Sequence, residues 1–378
     1  MKKEWASVWI SLVIIIILIL IPTGFESKSQ EAAGDRVAAQ VLSVNNDLII
    51  DTGLVRSGEQ SCQVEILQGQ YKGEVFDGIN MLNGSLEQDK IFEAGDLALV
   101  LISHRDNEVI AVSMIDHYRL HLELILLVAF FVLLILFAGP MGLRAILSFV
   151  LTILTIWKVL VPLFLKGGNP ILIGGLFTLF LTVMVIALVY GFSRRWLAAV
   201  SGVTIGLIIM ALAGIWSVNN IKIHGAVMAF SESLLYSGYQ YLSLTSIFTA
   251  SIFIGAAGAV IDLAVDITSA VYEVAEKRPD LSWRELTKSG AQVGRAAMGT
   301  LTTTLLLAYS GGFISLLMVF MAQGTPLINI LNYKYVAAEL IHTLVGSFGL
   351  VAVAPLTSLT AGCFLARKQS GNKEKIVP

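Results

Sequence analysis

The sequence predicts a membrane protein: an all-α polytopic bundle of about eight transmembrane helices with a small extracytoplasmic β-rich domain. Of its 378 residues, 56% are hydrophobic and 14% are charged, whereas soluble domains average roughly 45–50% and about 25%. Several apolar segments have the length of about 20 residues that crosses a bilayer core of about 30 Å. Residues 24–118 show a different pattern, with short runs in which apolar and polar residues alternate between turn residues.

The first apolar segment, residues 5–21, follows Lys2 and Lys3. It is longer than the apolar core of a secretory signal, which has about 7–15 residues, and no small-residue cleavage site follows it. We therefore expect residues 1–23 to form an uncleaved transmembrane anchor whose N-terminus is cytoplasmic.

Residues 24–118 contain short runs rich in Val and Ile, separated by Asn, Gly, Asp and Glu. Such period-two runs predict about five or six strands, which in a segment of this length form a small barrel or a sandwich. The segment has 16 acidic and 6 basic residues. Its acidic charge and its position between two membrane segments predict an extracytoplasmic domain. We expect Cys62 to be a buried strand residue, on the opposite side of the membrane from Cys363.

Seven further apolar spans predict a transmembrane domain over residues 119–367, followed by a cytoplasmic tail at 368–378. We place the spans near 120–138, 145–165, 171–190, 197–216, 241–265, 297–320 and 336–364. Lys and Arg prefer the cytoplasmic side of short loops, and ten of them lie on one side of this arrangement: Arg144, Arg194, Arg195, Lys277, Arg278, Arg284, Lys288, Arg295, Arg367 and Lys368. The opposite loops hold Lys166, Lys222 and Lys334. Both termini are therefore expected in the cytoplasm.

Several function classes have no support in the sequence. The formal net charge of −2 indicates no nucleic-acid partner. The chain has no G-x-S-x-G, H-E-x-x-H or Walker motif and no His/Cys cluster for zinc. We therefore expect no enzymatic activity and no cofactor, and the sequence does not identify a metal.

The stretch GAAGAVIDLAVDITSAVYE (255–273) places two carboxylates, Asp262 and Asp266, one helical turn apart near the end of an apolar span. With Ser269 they share one helix face, and small residues continue that face so that another helix can approach. We therefore expect both carboxylates to face the bundle interior. An Asp at mid-bilayer costs roughly 2.5–3.5 kcal/mol, so a partner or a function is required. Arg295, at the start of the next span, is the expected partner.

Three interpretations of these charges remain open. Asp262, Asp266 and Arg295 form an ion pair that holds two spans together, or they form a cation or proton site in which Asp262 is the principal ligand, or they are simply solvated at the membrane interface. Carboxylate and hydroxyl oxygens are the ligands that hard cations prefer.

The following span, GTLTTTLLLAYSGGFIS (299–315), adds polar and small residues. These are Thr300, Thr303, Thr304, Tyr309, Gly311 and Gly312. Threonine hydroxyls bond back to their own helix, so the threonines either serve helix packing or contact a substrate. The two adjacent glycines weaken the helix and allow it to break, as helices do at transporter binding sites.

The last span begins with AAELIHTLVG (337–346), in which Glu339 and His342 share a face. Histidine titrates near neutrality, so this pair is able to pass protons. The alternative is a simple polar pair at the outer membrane interface. Pro355 is expected to kink this helix further along.

Taken together, GAAGAVIDLAVDITSAVYEV, SGAQVGR, MGTLTTTLLLAYSGG and AELIHTLVGSFGLVAVAPLTS resemble the YibE/F-like family of bacterial membrane proteins, over about residues 35–365. The resemblance implies a permease-type protein of the bacterial cytoplasmic membrane with no established substrate. The positions that match the family pattern are Gly255, Gly258, Asp262, Ser269, Gly290, Gly294, Arg295, Gly299, Thr300, Thr304, Tyr309, Glu339, Gly346 and Pro355.

Three positions depart from that pattern. Asp266 stands where a small hydroxyl residue is usual, Ala296 where Asp is usual, and Thr303 where Asn is usual. An acid lost at 296 and gained at 266 leaves the charge around Arg295 unchanged, which favours a paired network.

The resulting functional hypothesis is a secondary transporter or permease for a small solute or ion, coupled to protons or cations through Asp262. Its partners are the lipid bilayer and that solute, and its oligomeric state is not predicted. The alternative is a membrane scaffold or assembly factor that uses the extracytoplasmic domain as a binding module. An unrecognised membrane enzyme ranks below both.

Overall fold

The computed structural model describes residues 2–26, 34–105 and 108–366. The predicted tail at 368–378 lies outside these residues. The chain divides into two compact units, Gly24–Gly142 and the combination of Met1–Thr23 with Leu143–Pro378. The first unit holds the β-domain and one helix, and the second holds the other helices.

Five strands close into a barrel in the order β1–β2–β3–β5–β4. The strands are β1 (Asp35–Asp51), β2 (Arg56–Ile66), β3 (Val75–Asn83), β4 (Leu97–Arg105) and β5 (Glu108–His117). β1 pairs antiparallel with both β4 and β2, because register shifts after Val41 and Asn45 bend it around the barrel. β3 and β5 pair in parallel. Of the two predicted architectures, the structure is therefore the barrel.

Alternating residues of the strands fill the barrel interior. Cys62, Val64 and Val100 are among its wholly buried side chains, which confirms the expected burial of Cys62. Burial raises the pKa of the Cys62 thiol to about 11. Gln60 and Asn80 are also fully buried, and a hydrogen-bond network satisfies the Gln60 amide.

The helices of the chain follow the apolar segments. Seven are long and apolar enough to cross a membrane: α2 (Leu120–Ala138), α3 (Pro140–Leu165), α4 (Pro170–Tyr190), α5 (Arg194–Ile221), α7 (Leu244–Lys277), α8 with α9 (Trp283–Ala322) and α11 (Lys334–Leu365). Helix α1 (Lys2–Leu20) contains a shorter apolar stretch, Trp5–Leu20. Two short helices, α6 (Ser231–Tyr236) and α10 (Leu327–Asn332), connect the longer ones. The chain is thus a membrane-embedded protein with an N-terminal barrel.

The connection between α7 and α8 is shorter than the apolar pattern predicts, because both helices continue past their apolar segments. Ile267, Val271 and Ala275 remain buried on the extension of α7. In the turn, the Arg278 guanidinium donates two hydrogen bonds to Asp280 and lowers the pKa of that carboxyl to about 2. Ser282 then starts α8 with a capping box. The connection between the spans predicted at 197–216 and 241–265 likewise starts later than the apolar pattern predicts, because α5 continues to Ile221.

Helix α7 lies at the centre of the second unit, where it packs against α4, α5, α8 and α11. Helix α11 packs against α5, α7 and α8. Close approach depends on glycine: a Cβ at Gly206 of α5 would collide with Val353 of α11, and a Cβ at Gly202 would collide with Thr357. Helix α2 belongs instead to the barrel's unit, and none of its residues is buried.

Candidate functional site

One face of α7 is left open by the four helices around it. Ser251, Gly255, Gly258, Asp262 and Asp266 follow one another every three or four residues, which is the spacing of a single helix face. The last four are exposed, whereas most residues on the other faces of α7 are buried. This stripe connects two groups of polar side chains, one near each end of the helix.

The carboxylate end of the stripe differs from the expectation. Asp262 and Asp266 share a face, as the sequence predicts, but both side chains are exposed, and Arg295 is exposed as well. Among the described residues, no salt bridge joins Arg295 to either aspartate within 4.0 Å. The predictions that the carboxylates face the bundle interior and pair with Arg295 are therefore wrong. Helical periodicity showed which residues lie together but not which side of α7 the neighbouring helices cover.

Ser269 belongs to a helix contact and not to the carboxylate pair. The Tyr190 hydroxyl, at the end of α4, donates to the Val265 carbonyl at 2.6 Å and lies 2.7 Å from the Ser269 hydroxyl. The Arg195 guanidinium packs against the rings of Tyr190 and Tyr272, at 5.2 and 4.2 Å from their centroids. These contacts fasten α4 and the start of α5 to α7. No local pattern in the sequence predicts them, because Tyr272 and Ser269 lie far along the chain from Tyr190 and Arg195.

At the other end of the stripe, a polar cluster lies between α7, α8 and α11. The His342 imidazole stacks on Phe248, with ring centroids 5.0 Å apart, and meets the edge of the Tyr309 ring at 5.3 Å. Its Nε2 atom lies 3.3 Å from the Ser251 hydroxyl. The structure thus brings together His342 and Tyr309, which the sequence placed on separate spans. Ser251 and Phe248 were missed, although Ser251 lies one turn before Gly255 on the same face.

Two oxygen atoms of this cluster are buried without a hydrogen-bond partner among the described residues: Tyr309 Oη and Glu339 Oε2. Glu339 lies one turn before His342 on the same face of α11. Gly255 makes room for the Tyr309 hydroxyl, since a Cβ there would lie 2.8 Å from Tyr309 Oη. Buried polar groups are normally paired, so these two oxygens make the cluster a candidate for binding a polar group or a cation.

The threonines of α8 have their hydroxyls satisfied within the helix. Thr300 donates to Ala297, Thr303 to Gly299, and Thr304 to Thr300, at 2.9–3.2 Å. All three side chains are exposed, so they do not converge on the cluster. The hydroxyls thus bond back to their own helix as expected, but the exposure of the side chains does not support the packing interpretation within one chain, and substrate contact stays a prediction.

The paired glycines change the helix type without breaking the span. Helix α8 ends at Ser310, Gly311–Phe313 form one 3-10 turn, and α9 (Ile314–Ala322) follows. The 3-10 turn begins two residues after Tyr309, so it lies near the polar cluster. Within the described part of the chain, no three His, Cys, Asp or Glu side chains are grouped as metal ligands.

A family model described as YibE/F-like protein matches residues 126–367, which is more than half of the chain. The chain belongs to the YibE/F-like family. Every candidate site residue lies within the matched range. The barrel at 35–117 lies outside it, so the resemblance is shorter than the expected 35–365. Neither the comparison with curated proteins nor the comparison with solved structures gave a match.

Proposed function

We propose that this YibE/F-like protein is a permease that moves a proton or a small cation, alone or with a solute, past the cluster of Ser251, Tyr309, Glu339 and His342. The observation that carries the proposal is the pair of buried, unpartnered oxygens on Tyr309 and Glu339. An ionised carboxylate in such a place is costly unless a proton or a cation neutralises it. Glu339 therefore takes the coupling role that the sequence suggested for Asp262.

The proposal includes the orientation that the charge distribution favours. The basic residues of the loops favour a cytoplasmic location of both termini and an external location of the barrel. In this orientation the cluster lies toward the outer half of α7, and the carboxylates lie toward the cytoplasm. Uptake would begin at Glu339.

Flux into vesicles tests this function. The purified full-length protein is reconstituted into phosphatidylethanolamine–phosphatidylglycerol vesicles with an entrapped pH dye, and gradients of H⁺, Na⁺ or K⁺ are imposed. Loss of one buried ligand by Glu339→Gln should slow the flux about tenfold or more, and Tyr309→Phe should slow it less. Glu232→Gln, at an exposed glutamate of α6, is the matched control and should leave the rate unchanged. Wild-type rates equal to those of empty vesicles for all three ions would contradict the proposal.

The scaffold alternative has one observation in its favour. Leu48, Ile50 and Met81 are more than half exposed on adjacent barrel strands, and Leu54 and Leu86 are 78% and 75% exposed in nearby loops. Apolar patches of this kind are typical of binding surfaces. The flux assay separates the two functions, because a scaffold gives no flux in any variant, whereas a permease keeps its flux when Leu54 and Leu86 are both replaced by Ser.

A further inference from the structure

The open stripe of α7 continues onto α8 and forms a polar surface on the outside of the helical unit. This open face consists of Gly258, Asp262 and Asp266 on α7, and of Arg295, Gly299 and Thr303 on α8. All six residues are exposed. By contrast, the outward residues of α5, such as Ile208 and Leu212, are apolar, as lipid-facing residues should be.

Antiparallel packing of α7 and α8 fixes the relative depth of these side chains. Gly290 packs beside Val271, and Gly294 packs beside Ile267. Each step forward along α8 therefore corresponds to one step back along α7. Arg295 consequently lies at the level of Asp266, Gly299 at the level of Asp262, and Thr303 at the level of Gly258.

Arg295 also points to the same side of the helix pair as the aspartates. Tyr309 touches the open stripe at Gly255, and Arg295 lies fourteen residues earlier on the same continuous helix, which is about four turns. Arg295 and the two carboxylates therefore share a side and a depth, although no ion pair forms between them within one chain.

The depth of the open face makes exposure to lipid unfavourable. Asp262 lies about 27 Å along α7 from Leu244 and Asp266 lies about 33 Å along it, so they lie inside and at the edge of an apolar core of about 30 Å. Charged side chains at this depth need a partner or water. Among the described residues, the neighbouring helices of the same chain form no salt bridge with either aspartate, so water, a lipid headgroup or another chain must satisfy the two carboxylates.

The glycines of the open face give an independent indication. A Cβ at Gly258 or Gly299 would meet no atom within 4 Å, whereas a Cβ at Gly290 or Gly294 would press on a neighbouring helix at 2.8 or 3.1 Å. Packing within one chain thus explains why Gly290 and Gly294 are glycines, but it does not explain Gly258 and Gly299. An interior glycine weakens a helix, and close approach of another helix is what glycine allows in membranes.

We propose that a second copy of this chain covers the open face, with Arg295 of each copy paired to Asp266 and Asp262 of the other. A two-fold axis along the membrane normal keeps each residue at its own depth. The equal depth of Arg295 and Asp266 therefore brings opposite charges together across the axis, and Gly258 and Gly299 let the helices meet. The interface is self-complementary, as a two-fold dimer requires.

Cross-linking in native membranes tests the dimer, and its readout does not depend on transport. Cys363 is exposed and is replaced by Ser, while Cys62 is wholly buried and stays. Thr303→Cys should give a disulfide-linked dimer on oxidation. Leu212→Cys on α5 is the matched control and should stay monomeric. Equal cross-linking at the two positions would overturn the proposal.

Charge exchange identifies the pairing. Arg295→Asp in the Thr303→Cys background should weaken self-association about tenfold, and the double variant Arg295→Asp with Asp266→Arg should restore it. An unchanged dimer yield with Arg295→Asp, or no restoration by the double variant, overturns the pairing. Because a single variant can fail to fold, the mass of the wild-type protein in lipid nanodiscs is measured as well. A monomer at every protein-to-lipid ratio rejects the second copy as the occupant.

Discussion

Replacement of Gly255 by Ala is the sharpest perturbation of the polar cluster. The added Cβ would lie 2.8 Å from Tyr309 Oη, well inside the separation of about 3.5 Å at which non-bonded atoms are comfortable. Tyr309 cannot retreat freely, because its ring also packs edge-on against His342. The substitution should therefore displace the tyrosine and disturb the contact between His342 and Ser251.

The expected magnitude follows from two opposing effects. Forcing an extra carbon into a packed interior costs about 1–3 kcal/mol, while Ala in place of Gly within a helix gains about 1 kcal/mol. Gly255→Ala should therefore destabilise the wild-type protein by about 0–2 kcal/mol. In a Tyr309→Phe background the obstructing oxygen is gone, and the same change should stabilise by up to about 1 kcal/mol. The coupling energy between the two positions is then about 1–3 kcal/mol.

Thermal unfolding of the four full-length proteins in detergent, followed by helical circular dichroism, measures this coupling. Gly175→Ala on α4 is the matched control, because a Cβ there meets no atom within 4 Å, and its effect should simply add to that of Tyr309→Phe. Additivity for Gly255→Ala, with a coupling below about 0.5 kcal/mol, would refute the placement of Tyr309 against α7.

Three further outcomes are expected. Gln60→Leu removes hydrogen bonds to Asn46, Asn80 and the Phe92 backbone, and should destabilise the barrel by about 3 kcal/mol. In a Cys363→Ser background, this loss of stability should make Cys62 react about a hundredfold faster with a thiol reagent. The control Gln63→Leu, at an exposed residue, should change that reaction rate little. The folded-state pKa of Cys62, about 11, is above the ordinary value of 9.0, so the thiol ionises at lower pH in the unfolded chain than in the folded barrel. Barrel stability, measured by denaturant unfolding, should therefore decline between pH 9 and 11 more steeply in the wild type than in Cys62→Ala. Tyr190→Phe removes the hydrogen bonds to Val265 and Ser269 and should lower the stability measured by thermal unfolding by about 1 kcal/mol, and Ser269→Ala should lower it by no more than that. An unchanged unfolding midpoint for Tyr190→Phe would show that these bonds do not hold α4 to α7.

The elements of the fold were predictable wherever one periodic signal determined them. Alternation at 24–118 predicted strands, and long apolar runs predicted the membrane helices, because each signal is local. Closure of the barrel was not predictable. It depends on β1 bending at Val41 and Asn45 to pair with two partners, and such register shifts leave no pattern in the sequence.

The candidate site shows the same limit at the level of side chains. The periodicity placed Asp262 and Asp266 on one face of α7, and Glu339 and His342 on one face of α11, and the structure agrees. The meeting of Tyr309 with His342 depends on how α8 crosses α7 and α11. Exposure of the carboxylates follows from the absence of a covering helix on one side of α7. Neither fact can be read from the spacing of residues in a single helix.

Glu339 and Asp262 differ in whether their surroundings can satisfy a negative charge. An exposed carboxylate can be satisfied by water, a lipid headgroup or an arginine of another chain, so its charge requires no particular ligand. Glu339 Oε2 and Tyr309 Oη are buried without a hydrogen-bond partner among the described residues, and an ionised carboxylate there is costly unless a proton or a cation neutralises it. In the proposed permease the charge of Glu339 would therefore change with what occupies the cluster, which is the property that a coupling residue requires. Asp262 and Asp266 lie on the surface where a second copy is proposed, so the same helix α7 would carry a coupling site on one turn and an interface two turns away.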